Sequence, residues 1–315
     1  MSSTAGALCP DLHVALEAAT VGAAAICSVH SPTSDHAAPG TAGDVRSKGG
    51  VHSDLVTAAD VAADRAIHQH LRRMRPADQI LSEELNPDWQ RSGPPGATGD
   101  GAGPRTGPLP GRWWVVDPLD ATSGFLFGVG EDYPSVMVAL CVDSIPQVAV
   151  IVFPLSGRKV YAVRGEGCFR DGSRVTVTPP PGLGDGLRDA WVDINQYTDG
   201  QLETEAVRRA DAFLRRTCRL VTRMCPHSGA VARLLGPGPG LAAIVHDHNP
   251  QHPKQQPWDI LPALLVLVEA GGSVRQLGGQ PLDPFQPKGP FVMARSAAMA
   301  EAIVAAMEGG STVCR

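Results

Sequence analysis

The residues best placed to do chemistry lie in Trp113-Trp114-Val115-Val116-Asp117-Pro118-Leu119-Asp120-Ala121-Thr122, where an apolar run meets two carboxylates and a hydroxyl. Four apolar residues in a row suit a strand buried on both faces, and Pro118, which lacks a ladder donor, is expected to stop it. Asp117 and Asp120 then stand at the strand's carboxyl end, the edge where open α/β sheets bind ligands. Two aspartates at this spacing around a tight turn converge on one divalent cation or a close pair, or else form an ordinary Asp-Pro turn capping a helix. Further acids sit at element ends. Gln79–Ser82 reads as a short strand delivering Glu83 and Glu84, and Asp259 immediately precedes a helix expected over Ile260–Ala270. There the helix dipole stabilises its charge, with N-capping as the competing role. Asp60, in Thr57-x-x-Asp60, forms a capping box for a helix of its own. Oxygen donors without Cys or His are what Mg²⁺ prefers.

The elements that must position these groups follow from periodicity. The chain has 315 residues, 43% of them hydrophobic, enough for one large core or two packed subdomains. In residues 1–180, helices are expected over 10–29 and from Thr57 to before Pro76, with strands over 135–142, 147–153, 159–163 and 175–177, and turn chemistry from Gly165 to Gly172. That is an α+β unit, an antiparallel sheet behind two helices. After the Pro/Gly run between Pro179 and Gly186, residues 181–315 alternate strands (190–194, 241–245) with helices (203–217, 228–235, 260–270, 296–307), an α/β pattern. The Gly/Pro-rich insertion 86–111 reads as a mobile lid or a disordered loop.

A net charge of −5 and the lack of any long Lys/Arg block exclude a nucleic-acid polymer as partner. Seven scattered cysteines without a CxxC pair point to reduced thiols in a cytoplasmic compartment. No Lys or Arg precedes Arg46, so no signal peptide is expected, and no segment is expected to reach the about 18 apolar residues of a membrane span.

Four ordered motifs carry a family resemblance: Asp54-Leu55-Val56-Thr57-Ala58-Ala59-Asp60, Ser82-Glu83-Glu84, Asp117-Pro118-Leu119-Asp120-Ala121-Thr122, and Trp258-Asp259 with Glu269-Ala270-Gly271-Gly272. Together with the Gly165–Gly172 turn and Ser228-Gly229-Ala230, they resemble the inositol monophosphatase superfamily of metal-dependent, lithium-sensitive phosphatases over roughly residues 48 to 310. The resemblance implies an α/β fold of layered αβαβα type, as in fructose-1,6-bisphosphatase, with the active site between the two halves and a homodimeric assembly. It implies two or three Mg²⁺ ions held by Glu83, Asp117, Asp120, Asp259 and the Leu119 carbonyl. It makes Thr122 and Asp60 the pair that orients or deprotonates the attacking water, with Glu83 taking part, and gives the phosphate to the amides of Ala121 and Thr122. Most members carry Gly where this chain has Ala121, so the backbone there is expected to accommodate a β-carbon.

Substrate contacts are expected from the second half, at His227, Ser228, Gly229 and His252, with Arg223 as a further anion contact. Inositol-specific members place a carboxylate at the His252 position, which turns the reading away from inositol phosphates. The Leu-Ser-Glu-Glu form, Asp-Ala-Thr and Gly124-Phe125-Leu126 look more like 3′(2′),5′-bisphosphate nucleotidases acting on 3′-phosphoadenosine 5′-phosphate. Inositol, sugar or histidinol phosphates are the alternatives, and a catalytically silent binding protein is the non-enzymatic one. His246-Asp247-His248 with His252 offers a zinc site or a solvated substrate loop.

Overall fold

The computed structural model describes residues 9–30, 46–47, 55–85, 109–127, 131–132, 134–177, 187–188, 190–195, 204–224, 231, 234–235, 241–248 and 255–309. His227, Ser228, Gly229, His252, most of the helix expected over 228–235 and most of the insertion 86–111 lie outside these residues.

Two helices open the chain. Helix α1 (Pro10–His30) is long and apolar enough to cross a membrane, contrary to the expectation from sequence, yet it packs on α2 (Ala58–Met74) and a sheet as a core helix. A short antiparallel pair, β1 (Arg46–Ser47) and β2 (Leu55–Val56), lies between them in sequence. Helix α2 starts as its sequence dictates: Thr57 is the N-cap, its side chain accepts from the amides of Ala59 and Asp60, and Asp60 reaches back to the Thr57 amide.

A seven-stranded sheet follows, formed in order by β3 (Gln79–Ser82), β4 (Arg112–Asp120), β5 (Ser135–Val142), β6 (Ile145–Val152), β7 (Lys159–Val163), β8 (Gly167–Arg170) and β9 (Ser173–Val175). All its pairings are antiparallel except β3 with β4, which run parallel with Ser82 opposite Val116. The segment read as a turn from Gly165 to Gly172 contains β8. Only its ends turn, through positive-φ Gly165, Asp171 and Gly172.

The second sheet, β11-β10-β12-β14-β13, comprises β10 (Trp191–Asn195), β11 (Leu220–Met224), β12 (Leu241–His246), β13 (Ser273–Gln276) and β14 (Phe291–Ala294). Its first three strands are mutually parallel, and β14 and β13 complete it antiparallel. Strands β11, β13 and β14 were not anticipated: all three are short, and in β11 and β13 the polar residues Thr222, Arg223, Arg275 and Gln276 blur the apolar run. Of the remaining helices, α3 (Thr122–Phe127) is short, α4 (Glu205–Thr217) and α6 (Ala297–Met307) pack together on the outer side of the five-stranded sheet, and α5 (Pro257–Glu269) lies between the sheets.

The layering is therefore α1/α2, seven-stranded sheet, α5, five-stranded sheet, α4/α6. Strand β4 shows why. Trp113 and Val115 join the core around α5, whereas Trp114 and Val116 join the core beneath α1 and α2, so the uninterrupted apolar run serves two cores through the two-residue period of a strand. An Asp11–Arg75–Arg112–Asp78 network, in which the Trp114 indole also donates to Asp78, ties α1 and α2 to the start of β4.

Candidate metal centre

Asp117 has the same parity as Trp113 and Val115, so it faces α5. On an undisturbed strand Asp120, at odd spacing, would face the opposite side. The strand does not stop at Pro118 as expected. It continues to Asp120 through an irregularity in which Asp117 pairs with Met137 and Asp120 with Ser135, three residues advancing against two. This one-residue bulge, at the position where proline cannot donate, turns both carboxylates to one side. Asp117 also accepts from the Leu119 amide at 3.1 Å, which fixes the bulge, and Ser135 donates to Asp120 at 3.5 Å.

The third carboxylate arrives from the other half of the chain. Asp259 does not precede its helix. It is the third residue of α5, accepting from the Gln256 amide at 2.6 Å in a capping box that Pro257 preorganises at the first helical position. Asp117, Asp120 and Asp259 each offer an oxygen within 4.8 Å of the others. Three anions so close, two of them buried, repel one another unless a cation lies among them, and an all-oxygen donor set suits Mg²⁺. The residues thus fit the ion that the sequence implies.

Glu83 lies outside that triad but on the same edge. The parallel register brings it there: its amide donates to the Val116 carbonyl at 3.2 Å, beside Asp117. Its charge acts on Asp60, which is 1% exposed. The Asp60 carboxyl is pushed up to about 6: burial raises it most, hydrogen bonds from Thr57 and Thr122 oppose the rise, and the charge of Glu83 adds to it. The Thr122 hydroxyl sits 3.0 Å from Asp60 Oδ1 and 3.0 Å from the Leu119 carbonyl. One hydroxyl proton serves one of these acceptors at a time.

Ala121 departs from expectation. Its φ of 63° is left-handed, a region where a β-carbon costs roughly 1–2 kcal/mol, so the position is strained and not simply compatible with alanine. It directly precedes α3, whose first residue is Thr122.

Among the described residues, His246, Asp247 and His248 do not gather into a metal-binding group. His246, at the end of β12, stacks on Phe291 at 4.5 Å, and its Nδ1 faces the side-chain amides of Asn195 and Gln255 at 3.3 Å each. Asp247 instead accepts from Thr204, the N-cap of α4. His248 Nδ1 lies 3.1 Å from Gln255 Oε1. Two amide nitrogens on Nδ1 make it the acceptor and leave the ring proton on Nε2, and burial pushes His246 down to about 3, so it stays neutral. Among the described residues, His246 Nε2 and Asn195 Oδ1 have no hydrogen-bond partner. Sequence reading missed Asn195, Gln255, Phe291 and Ser135. The available signal was position, since each lies at a strand end or just ahead of α5. Arg223 lies in β11.

The sequence profile of the inositol monophosphatase family matches residues 10–310. Among curated relatives, inositol monophosphatase 2 of Solanum lycopersicum is 27% identical over 233 residues, covering 73% of this chain and 77% of the relative. A histidinol-phosphatase of Mycobacterium tuberculosis is 36% identical over 121 residues, 38% of this chain and 39% of its own length. The 3′(2′),5′-bisphosphate nucleotidase CysQ of Aggregatibacter actinomycetemcomitans is 27% identical over 236 residues, covering 72% and 74%. Among solved structures, the Thermotoga maritima IMPase superposes with a TM-score of 0.69 at 18% identity, covering 96% of this chain and 98% of that one. An IMPase/NADP phosphatase complexed with Mg²⁺ and phosphate gives 0.63 at 20% identity, covering 85% and 87%. With its motifs in order and its fold shared, the chain belongs to the inositol monophosphatase family, whose members are Mg²⁺-dependent hydrolases of phosphomonoesters.

Proposed function

We propose that this protein hydrolyses a small phosphorylated metabolite by direct attack of water on phosphorus, with Asp117, Asp120, Asp259, Glu83 and the Leu119 carbonyl holding two or three Mg²⁺ ions. The observation that carries this reading is the meeting of three carboxylates from two distant chain segments, with the Thr122–Asp60 pair beside Leu119. Magnesium bound there supplies positive charge that polarises the phosphate and acidifies water. The protein's own groups do the rest. Thr122 Oγ1 orients the water and passes its proton to Asp60, whose raised affinity suits a base working near neutrality. As the water oxygen bonds to phosphorus, the ester P–O bond breaks with its electron pair going to the ester oxygen, which leaves as an alkoxide and takes a proton from solvent water to become the alcohol. The amides of Ala121 and Thr122 receive the phosphate.

The leaving group distinguishes two readings. The Ser82-Glu83-Glu84 and Asp120-Ala121-Thr122 forms, together with the likeness to CysQ, support a 3′-phosphonucleotide such as 3′-phosphoadenosine 5′-phosphate. The neutral group of His246, Asn195 and Gln255 supports a hydroxyl-bearing leaving group without a second phosphate, as in polyol, sugar or histidinol phosphates, because Gln255 stands four residues before Asp259 and none of the three carries a cation for a second phosphate. His227, Ser228, Gly229 and His252 would complete this side. The enzyme works in the cytoplasm as a homodimer; free Cys27, Cys141 and Cys168 accord with a reducing compartment.

The test is phosphate release from bisphosphate nucleotides, nucleoside monophosphates, inositol phosphates, sugar phosphates and histidinol phosphate, with Mg²⁺ withdrawn, restored and then opposed by Li⁺. Turnover that needs Mg²⁺ and falls with Li⁺ is expected. Asp117→Asn is expected to cut turnover by at least about 100-fold while the fold persists, since charge is lost without packing volume. Activity unaffected by chelation would sink the reading.

A further inference from the structure

We infer that Ser82 and Asp64 are positioning residues that fix Glu83 at the metal centre from behind the sheet. The inference rests on the reading of Glu83 as a ligand.

Ser82 is the last residue of β3 and fully buried. It shares parity with Ile80, which belongs to the core beneath α1 and α2, whereas Leu81 belongs to the core around α5. The Ser82 side chain therefore points away from the acidic cluster, and its hydroxyl donates to Asp64 Oδ1 on α2. Asp64 is itself buried, and His68, one helical turn on, brings its Nδ1 to 3.6 Å from the same oxygen. Ser82 thus has a carboxylate, not an imidazole, as its partner. Its hydroxyl, facing away from the acidic cluster, serves as an anchor.

What it anchors is the next residue. Beyond Ser82 the chain leaves β3, and Glu83 is held by its amide on the Val116 carbonyl. That bond alone fixes the backbone at one point. The Ser82–Asp64 bond fixes it at a second, on the opposite face, and so defines the direction in which the Glu83 side chain leaves the strand. Asp64 lies one turn after Asp60 on the same face of α2. One helix face thus holds both the base that receives a proton through Thr122 and the anchor of a metal carboxylate. The helix turn and the β3–β4 register thus act together on the placement of Glu83 relative to Asp60.

The experiment titrates chelator-stripped protein with Mg²⁺ alone and Mn²⁺ alone by calorimetry, and separately follows phosphate release against Mg²⁺. Wild type, Ser82→Ala, Ser82→Thr and Asp64→Asn are compared. Loss of an outer partner of a metal ligand costs about tenfold or more in metal affinity. Ser82→Ala and Asp64→Asn are therefore expected to raise both the calorimetric dissociation constant and the half-saturating Mg²⁺ by about tenfold. Maximal turnover at saturating Mg²⁺ is expected to stay within about twofold of wild type. Ser82→Thr, which keeps the hydroxyl, restores wild-type affinity. A lowered melting temperature with unchanged metal affinity in Ser82→Ala would overturn the inference and leave the metal reading standing. A wild type that takes up neither cation would overturn the metal reading and this inference together.

Discussion

At the residue scale, the site places two side chains in unfavourable states. Ala121 holds a left-handed φ of 63° beside the base and the acidic cluster. Glycine would relieve roughly 1–2 kcal/mol of strain and give back about half of it as unfolded-state entropy. Ala121→Gly is thus expected to raise the melting temperature by about 1–3 °C without loss of turnover; a lower melting temperature would show that the strain is absent. Asp60 is the second case. Because its folded carboxyl holds a proton up to about 6, above its unfolded value, the folded state binds more protons between those two values. Its contribution to stability is therefore greatest at low pH and declines as pH rises from about 4 to about 6. Thermal melts of the chelator-treated protein across that range should show a decline that Asp60→Asn removes. The roles of Asp60 and Thr57 were legible in sequence because a capping box is local. The state of Ala121 was not, since φ at one residue depends on the bulge before it.

At the element scale, the helices α1, α2, α4 and α6 and the strands β3, β5, β6 and β7 follow closely from apolar period and capping residues, whereas β8 lay hidden in a stretch that reads as a turn and β9 comes two residues earlier than its apolar residues suggest. What sequence could not give was the behaviour of β4 at Pro118. Proline removes a donor, which reads equally as an end or as a bulge, and only the pairing with Ser135 and Met137 decides between them. The bulge also accounts for the sequence of the motif: two aspartates at odd spacing share a side only if a residue between them leaves the ladder. Elsewhere close packing dictates residue size. A β-carbon on Gly22 of α1 would lie 2.6 Å from Ile67 Cδ1 and 2.8 Å from Ile67 Cγ1 on α2. Gly22→Val is expected to cost about 2 kcal/mol through overpacking and lower the melting temperature by several degrees. A wild-type melt would mean that α1 and α2 part without cost.

At the scale of the whole molecule, the fold brings together what lies far apart in sequence. Asp117 and Asp120 come from the seven-stranded sheet, and Asp259 comes from a helix that leads into the five-stranded one. The acidic residues could be singled out in sequence because each follows or precedes an apolar run. The convergence of Asp117, Asp120 and Asp259 depends on the order of strands and on α5 lying between the sheets. The other end of α5 matters too. Glu269, its last residue, accepts from the amides of Gly165 at 2.8 Å and Gly167 at 2.9 Å in the β7–β8 region. With Asp259 near its first turn and Glu269 at its last, the helix acts as a strut of about 20 Å, seated at both ends. A strut so held conveys a disturbance at one seat to the other as tilt. Glu269→Gln, which keeps size but weakens the grip on two amides, is therefore expected to loosen cation affinity severalfold at the remote end. Calorimetry would detect this even where the fold and the β7–β8 turn survive. Sensitivity of the metal centre to a residue about 15 Å along the helix is thus built into the length and seating of one element.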